Sequence, residues 1–195
     1  MPFSENYLRQ LVGGAVMGDF GPFTLSSLDE TERYLRQIVA RLASLPALLV
    51  EADFSSYGSG FASYIEVRIA RKDHSDTATA ARGQHTTRTT NGLMLYLSRL
   101  TPYWFYGGSE WSKTYDNGRS VSGSASFLNS ESQAAINPAV WHLEAASVRA
   151  ILQAFHYRLL TPAELRQPAP VEVVVPTILA DKPYQVFDCF FYWED

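Results

Sequence analysis

Cysteine is nearly absent from the sequence: Cys189 is the one cysteine in 195 residues, so an internal disulfide cannot form. A free cysteine is usually a small buried hydrophobe, and we expect an inert thiol here. The four histidines show neither HxH nor HExxH spacing, and one cysteine cannot supply a CxxC pair. We therefore expect no metal and no other cofactor, in a reducing, cytoplasmic setting.

Long apolar runs are also missing. No stretch reaches the roughly 18 consecutive apolar residues that predict a membrane-spanning helix, and the first residues lack the basic and apolar regions of a secretory signal. The formal net charge is −4, from 16 basic and 20 acidic residues, which argues against a polyanionic partner. The sequence predicts no membrane partner, no nucleic-acid partner and a cytoplasmic location.

Catalytic and nucleotide-binding motifs are missing as well. None of the three lysines follows a glycine, as a phosphate-binding loop requires, and no GxSxG segment supplies a nucleophile. The Gly-Ser-Gly segment at 58–60 begins like a dinucleotide-binding turn, but it lacks the third glycine and joins two predicted strands. The sequence thus gives no direct sign of an enzyme.

The composition is that of an ordered chain, with 46% hydrophobic and 18% charged residues. Its length predicts one domain over residues 1–195. The helical spacing of apolar residues after Ser27 predicts a helix to about Ser44, and a second helical pattern covers 143–160.

Strands are predicted where apolar and polar residues alternate. Segments 48–55 and 61–69 alternate with a period of two and predict a first hairpin, and Asp-Asn-Gly at 116–118 predicts the turn of a second. The apolar segments 171–175 and 184–193 also resemble strands. Because helices and strands do not alternate strictly, we predict an α+β fold with a mainly antiparallel sheet and two principal helices packed on it.

Residues 73–92 contain no large apolar side chain. Such a segment cannot anchor a core, so it is predicted to be a mobile loop. Its basic residues Arg82, His85 and Arg88 could bind an anionic ligand, and a solvated loop without a ligand is the plainer interpretation.

Three carboxylates of the first hairpin, Glu51, Asp53 and Glu66, share one face if the apolar residues of the two strands pair together. Paired carboxylates can perform acid–base chemistry when burial separates their pKa values. One hypothesis is a hydrolase-like enzyme or a small-molecule-binding protein that uses this cluster, with the 73–92 loop as its lid. The alternative is a solvated outer face with one cross-strand ion pair to Arg68.

Aromatic residues are dense between 103 and 111, where Glu110 accompanies them. Large rings bury much area at little cost in side-chain entropy and are typical of protein interfaces. Rings are equally typical of cores, so surface and core both remain open here.

The acidic profile, the aromatic stretch Pro102–Trp111 and the aromatic and acidic end at 190–195 together resemble the immunity proteins that bacteria pair with their own secreted toxins. The resemblance implies a stand-alone domain that occludes the active site of a cognate, basic toxin domain and performs no chemistry itself. The partner-binding residues would be Tyr103, Trp104, Tyr106, Glu110, Trp111, Glu51, Asp53 and Glu66. A further hypothesis is a structural subunit whose aromatic residues are buried in a homo-oligomer.

Overall fold

An antiparallel sheet organises the chain, and the computed structural model describes residues 3–195, without the side chains of Ala135 and Pro138. The strands are β1 (Leu48–Asp53), β2 (Phe61–Ala62), β3 (Tyr64–Arg71), β4 (Thr77–Arg82), β5 (His85–Ser98), β6 (Tyr103–Asp116), β7 (Arg119–Ala125), β8 (Arg158–Leu159) and β9 (Trp193–Glu194). In the described residues seven strands form one sheet, in which β1, β3, β5, β6 and β7 are neighbours in that order. Within this sheet β4 also pairs with β5, and β8 joins β6 as its parallel member. The strands β2 and β9 form a separate ribbon.

Helices cover both faces of the sheet. They are α1 (Glu5–Val12), α2 (Leu28–Ala43), α3 (Pro138–Ala154), α4 (Pro162–Leu165) and α5 (Val186–Phe190). The predicted α+β fold, with a mainly antiparallel sheet and two principal helices, α2 and α3, is confirmed. Among residues 3–195 no helix combines the length and the apolar character needed to cross a bilayer.

The two principal helices differ in how well their ends could be predicted. The predicted start of α2 is confirmed, because the Ser27 side chain accepts a hydrogen bond from the Glu30 amide at 3.4 Å. The bounds 143–160 were wrong for α3, which begins at Pro138 after Asn137 and ends at Ala154. Asn137 caps the helix by accepting from the Ala139 amide at 3.0 Å, and proline suits a first helical position because it has no amide hydrogen to leave unbonded.

Both predicted hairpins are present. The strands β1 and β3 pair antiparallel, and β6 pairs with β7 around the predicted turn. In that turn Asn117 and Gly118 have φ of 47° and 79°, the positive values that a tight hairpin turn requires.

The helical face is the side of the sheet covered by α2 and α3. The alternation of β5 places Leu93, Leu95 and Leu97 on this face, where they join the core formed with the two helices. In β6, Trp104 and Tyr106 belong to the same core.

The C-terminal face is the opposite side of the sheet. It carries Met94, Tyr96 and Phe105, which are packed against α1, α5 and the residues after α5. The predicted strand at 184–193 was wrong: half of it forms α5, and the Asp188 carboxylate accepts from the Gln185 amide at 2.7 Å. Continuous apolar character marks burial, and it does not distinguish a short buried helix from a central strand. Residues 171–175 do not form a strand either.

The predicted loop at 73–92 was also wrong, because this segment contains β4 and the first half of β5. The two strands pair from Thr77 with Thr90 to Arg82 with His85, joined by Gly83, whose φ is 63°. Threonine favours extended backbone. A strand exposed on both faces has no apolar alternation, so the pattern that reveals other strands is missing here.

The outer arm is the part of the sheet that extends beyond the two cores. It consists of β4, residues 85–92 of β5, residues 109–116 of β6, and β7. Most side chains of β4 and β7 are exposed. Within the described residues, β4 and β7 each pair with one strand only, so each leaves an open edge.

Replacing Trp104 with alanine should strongly destabilise the fold, because this indole is 1% exposed and leaves a cavity between sheet and helices. We expect a loss of about 3–5 kcal/mol in the free energy of unfolding, measured by denaturant titration. The matched control is Leu143→Ala on α3, where the side chain is 67% exposed and a change within about 0.5 kcal/mol is expected. Equal stability of the two variants would contradict the burial of Trp104.

Candidate functional site

The aromatic stretch 103–111 does not form one surface. Trp104 and Tyr106 lie on the helical face, are 1% and 8% exposed, and stack with their ring centroids 5.3 Å apart. Tyr103 and Trp111 lie on the opposite face, where Trp111 is 6% exposed and Tyr103 is half-buried against Phe190. Alternate residues of a strand point to opposite faces, so these rings cannot combine into one patch.

Those burials correct the predicted binding surface. Trp104 and Tyr106 are core side chains, and Trp111 is buried outside the two cores, so none of the three projects as an exposed anchor in the free protein. Glu110 is exposed. It is separated from Trp104 and Tyr106 by an even number of residues along β6, so it lies on their face of the sheet and not on the face of Trp111.

The three hairpin carboxylates do share one face. The β1–β3 register places Glu51 opposite Arg68 and Asp53 opposite Glu66, as the sequence predicts. Each carboxylate has a different hydrogen-bond partner, however, and the hairpin of β4 and β5 replaces the expected lid. The three groups therefore do not converge on one reacting centre.

Asp53 holds the turn that follows β1. Its Oδ1 accepts from the Ser55 amide at 2.7 Å and the Ser55 hydroxyl at 2.6 Å, and its Oδ2 accepts from the Tyr57 amide at 3.1 Å. Burial raises the pKa of this carboxyl, but the hydrogen bonds from Ser55 and Tyr57 outweigh burial and leave the pKa below its ordinary value.

The turn places Tyr57 in a conformation that side chains seldom adopt. Ser56 and Tyr57 have φ of 52° and 59°, in the left-handed region that disfavours residues with a Cβ. The Arg99 guanidinium supports this backbone by donating to the Phe54 carbonyl at 2.8 Å. The result is a tyrosine hydroxyl held over the sheet beside Glu66.

Glu66 is a buried carboxylate, with the residue 3% exposed. Its Oε1 accepts from Arg68 Nε at 2.6 Å, and its Oε2 accepts from the Tyr57 hydroxyl at 2.9 Å. The Tyr57 and Tyr64 oxygens are 3.0 Å apart. Because a hydroxyl has one hydrogen and a carboxylate only accepts, Tyr57 donates to Glu66 and accepts from Tyr64.

The two tyrosines keep their protons. Burial raises the pKa of Tyr57 far above its ordinary value, and burial raises the pKa of Tyr64 to about 12. Glu66, supported by Tyr57 and Tyr64, therefore holds Arg68 in place. Arg68 lies where the covered part of the C-terminal face ends.

A small groove lies beyond Arg68 on the C-terminal face, with a volume of about 130 Å³. Lys113 Nζ crosses it to lie 2.8 and 2.6 Å from the two carboxylate oxygens of Glu51, although β3 and β5 separate their strands. Three strand spacings amount to about 14 Å in a flat sheet. The register adds to this, because Glu51 aligns through Arg68 and Met94 with Gly107, and Lys113 lies further along β6. Two side chains can bridge that span only because the sheet curves toward this face.

One wall of the groove is aromatic. The Trp111 ring approaches Gly92 closely: a Cβ on this glycine would stand 2.4 Å from the ring, so glycine is required for the close approach. Tyr115 also lines the groove, and the Arg88 guanidinium lies 5.4 Å from its ring centroid.

The groove is basic in an acidic chain. Its charged or titratable lining residues are Glu51, Arg68, His74, Arg88 and Lys113. Arg68 is paired with Glu66 and Lys113 with Glu51, so within the described residues Arg88 is the cation of the groove that has no carboxylate partner, whereas the whole chain has a net charge of −4. This excess makes the groove a candidate site for a negatively charged group.

Sequence reasoning reached only part of this groove. It singled out Glu51, Arg68, Trp111 and Arg88, the last as part of a loop, and it did not propose Lys113 or Tyr115 as site residues. These two residues could have been assigned to the groove only from the pairing of β5 with β6, which places Arg88 opposite Lys113.

A metal centre has no support among the described residues, since residues 3–195 contain no group of three or more His, Cys, Asp or Glu side chains arranged to hold an ion. Cys189 is fully buried, and its burial raises the pKa of the thiol to about 12, which keeps it protonated. Comparisons of the chain with protein-family models, curated proteins and solved structures gave no significant match.

Lowering the pH should cost the wild-type protein more stability than the Asp53→Asn variant. A carboxylate whose pKa is lowered by folding stabilises the fold above its unfolded pKa, near 3.8, and loses that effect as the pH falls through the folded value. Thermal unfolding between about pH 5 and pH 2 measures the difference. The control is Asp19→Asn, which removes an exposed carboxylate. Identical dependence of stability on pH in Asp53→Asn and the wild type would contradict the role of the Asp53 carboxylate in holding the turn.

Proposed function

We propose that the chain is a protein-binding domain of the toxin-immunity kind, which binds its partner through the outer arm and the groove at its base. The observation that carries this proposal is the exposure of the arm. Its outer strands leave two edges unpaired and most of their side chains in solvent. Exposed strand edges invite pairing with another chain unless they are protected, so an arm of this kind is suited to a macromolecular partner.

The size of the groove also favours a protein partner. Pockets for small molecules usually enclose roughly 300–1,000 Å³, whereas this groove has about 130 Å³. A single side chain of a partner matches this volume. The arm then supplies the remaining contact area around it.

The basic groove changes the expected charge of the partner. The toxin-immunity resemblance implies an acidic surface facing a basic toxin domain, but Glu66 is buried, and Asp53 and Glu51 bind groups of this chain. We propose instead that the partner presents an acidic patch to Arg88 and Lys113. Complementary charges of this sort speed encounter and fix orientation.

An Arg88→Glu, Tyr115→Ala double variant should lose the partner. We expect affinity to fall at least about tenfold, because the reversed charge repels an acidic patch and the groove loses a ring. The partner is first captured from native lysate by the tagged wild-type chain and identified by mass spectrometry, and its Kd is then measured by calorimetry for each variant.

The matched control is Arg33→Glu, which reverses an exposed charge on α2. Its Kd should equal that of the wild type. Loss of binding in the control with binding intact in the arm variant would contradict the proposal. Self-association through the arm, detected by sedimentation and abolished by the double variant, would replace it with the homo-oligomer hypothesis.

A further inference from the structure

Two cations of the groove lie side by side. Arg88 on β5 and Lys113 on β6 are directly opposite in the strand register and share the C-terminal face. Like charges in this position destabilise a sheet. The cost is reduced in the free protein by Glu51, whose carboxylate binds Lys113 from the far side of the groove.

The Glu51 contact is open to exchange. The Glu51 side chain is 58% exposed and that of Lys113 is 33% exposed, so water and other anions can reach both. An ion pair with this exposure contributes little to stability, because water screens both charges. Another carboxylate could therefore replace Glu51 at little cost.

The remaining lining favours a carboxylate over a neutral group. Arg68 is oriented by Glu66, which binds its Nε and Nη2 and leaves Nη1 to one side. With Glu51 displaced, Lys113 and Arg88 would line the groove without a carboxylate partner among its lining residues, while Arg68 stays paired with Glu66. The Trp111 and Tyr115 rings would contact the aliphatic part of an acidic side chain.

We infer that the groove is a receptor for a carboxylate side chain of the partner, with Lys113 and Arg88 as its ligands and Glu51 as a tethered competitor that occupies Lys113 in the free protein. The inference rests on the proposed function, since it names the partner group that the groove binds. It assigns Glu51 to control of affinity instead of to catalysis.

The test uses a blocked Glu-Asp-Glu tripeptide, with blocked Gln-Asn-Gln as the neutral control. Binding is followed by the NMR shift of the Trp111 indole, which lines the groove. The acidic peptide should bind and the neutral peptide should not. Equal binding of the two peptides would overturn the inference, as would binding of inorganic phosphate without binding of the acidic peptide.

Variants separate the roles of the two charged residues. Glu51→Gln should bind the acidic peptide about two- to fivefold more tightly, because the competitor is gone. Lys113→Gln should bind it about tenfold more weakly, and Lys113→Arg should recover part of the loss. Unchanged affinity in Glu51→Gln would overturn the competitor role.

The matched control is Glu131→Gln, which removes the acid of the exposed Glu131–Arg166 ion pair outside the groove and should leave peptide binding unchanged. Thermal unfolding of each variant confirms that it is folded. Failure of the peptide to bind, with partner capture still sensitive to Arg88→Glu, Tyr115→Ala, would reject the carboxylate receptor alone. Peptide binding without any arm-dependent partner would reject the proposed function alone.

Discussion

In β5 and β6 successive side chains point to opposite faces of the sheet, and the rest of the structure depends on which side chains each face receives. Between 93 and 97 both faces of β5 are apolar, so the strand can be buried on each side, by α2 and α3 on one and by α1, α5 and the C-terminal residues on the other. Toward the arm the same strands carry threonine, serine and charged side chains. The covering elements have no apolar surface to bury there, and the sheet continues into solvent.

The buried side chain of Glu66 lies at the boundary between the covered and the exposed part of the C-terminal face. Arg68 and Tyr57 bind both of its oxygens, so this buried polar group is not left without partners. Tyr57 reaches Glu66 only through the left-handed turn that Asp53 and Arg99 hold. Side chains that looked like a catalytic set in the sequence thus fix the edge of the groove, and the charges left to interact with a partner are those beyond it.

Periodicity predicted the elements in which one face is apolar and the other polar, such as α2 and the β1–β3 pair, and with them the α+β fold. It failed where both faces have the same character. Residues 85–92 are polar on both sides and resembled a loop, while 186–190 are apolar on both sides and resembled a strand. The groove depends on the β5–β6 register and on the curvature that brings Lys113 to Glu51, and neither can be deduced from spacing along one chain.

Amide hydrogen exchange of the chain, alone and bound to its captured partner, tests most directly whether the outer arm is the binding surface. Exchange should slow on binding in residues 77–92 and 109–125 and stay unchanged in α2. Slowing confined to α2 and α3, with exchange in the arm unaltered, would contradict it.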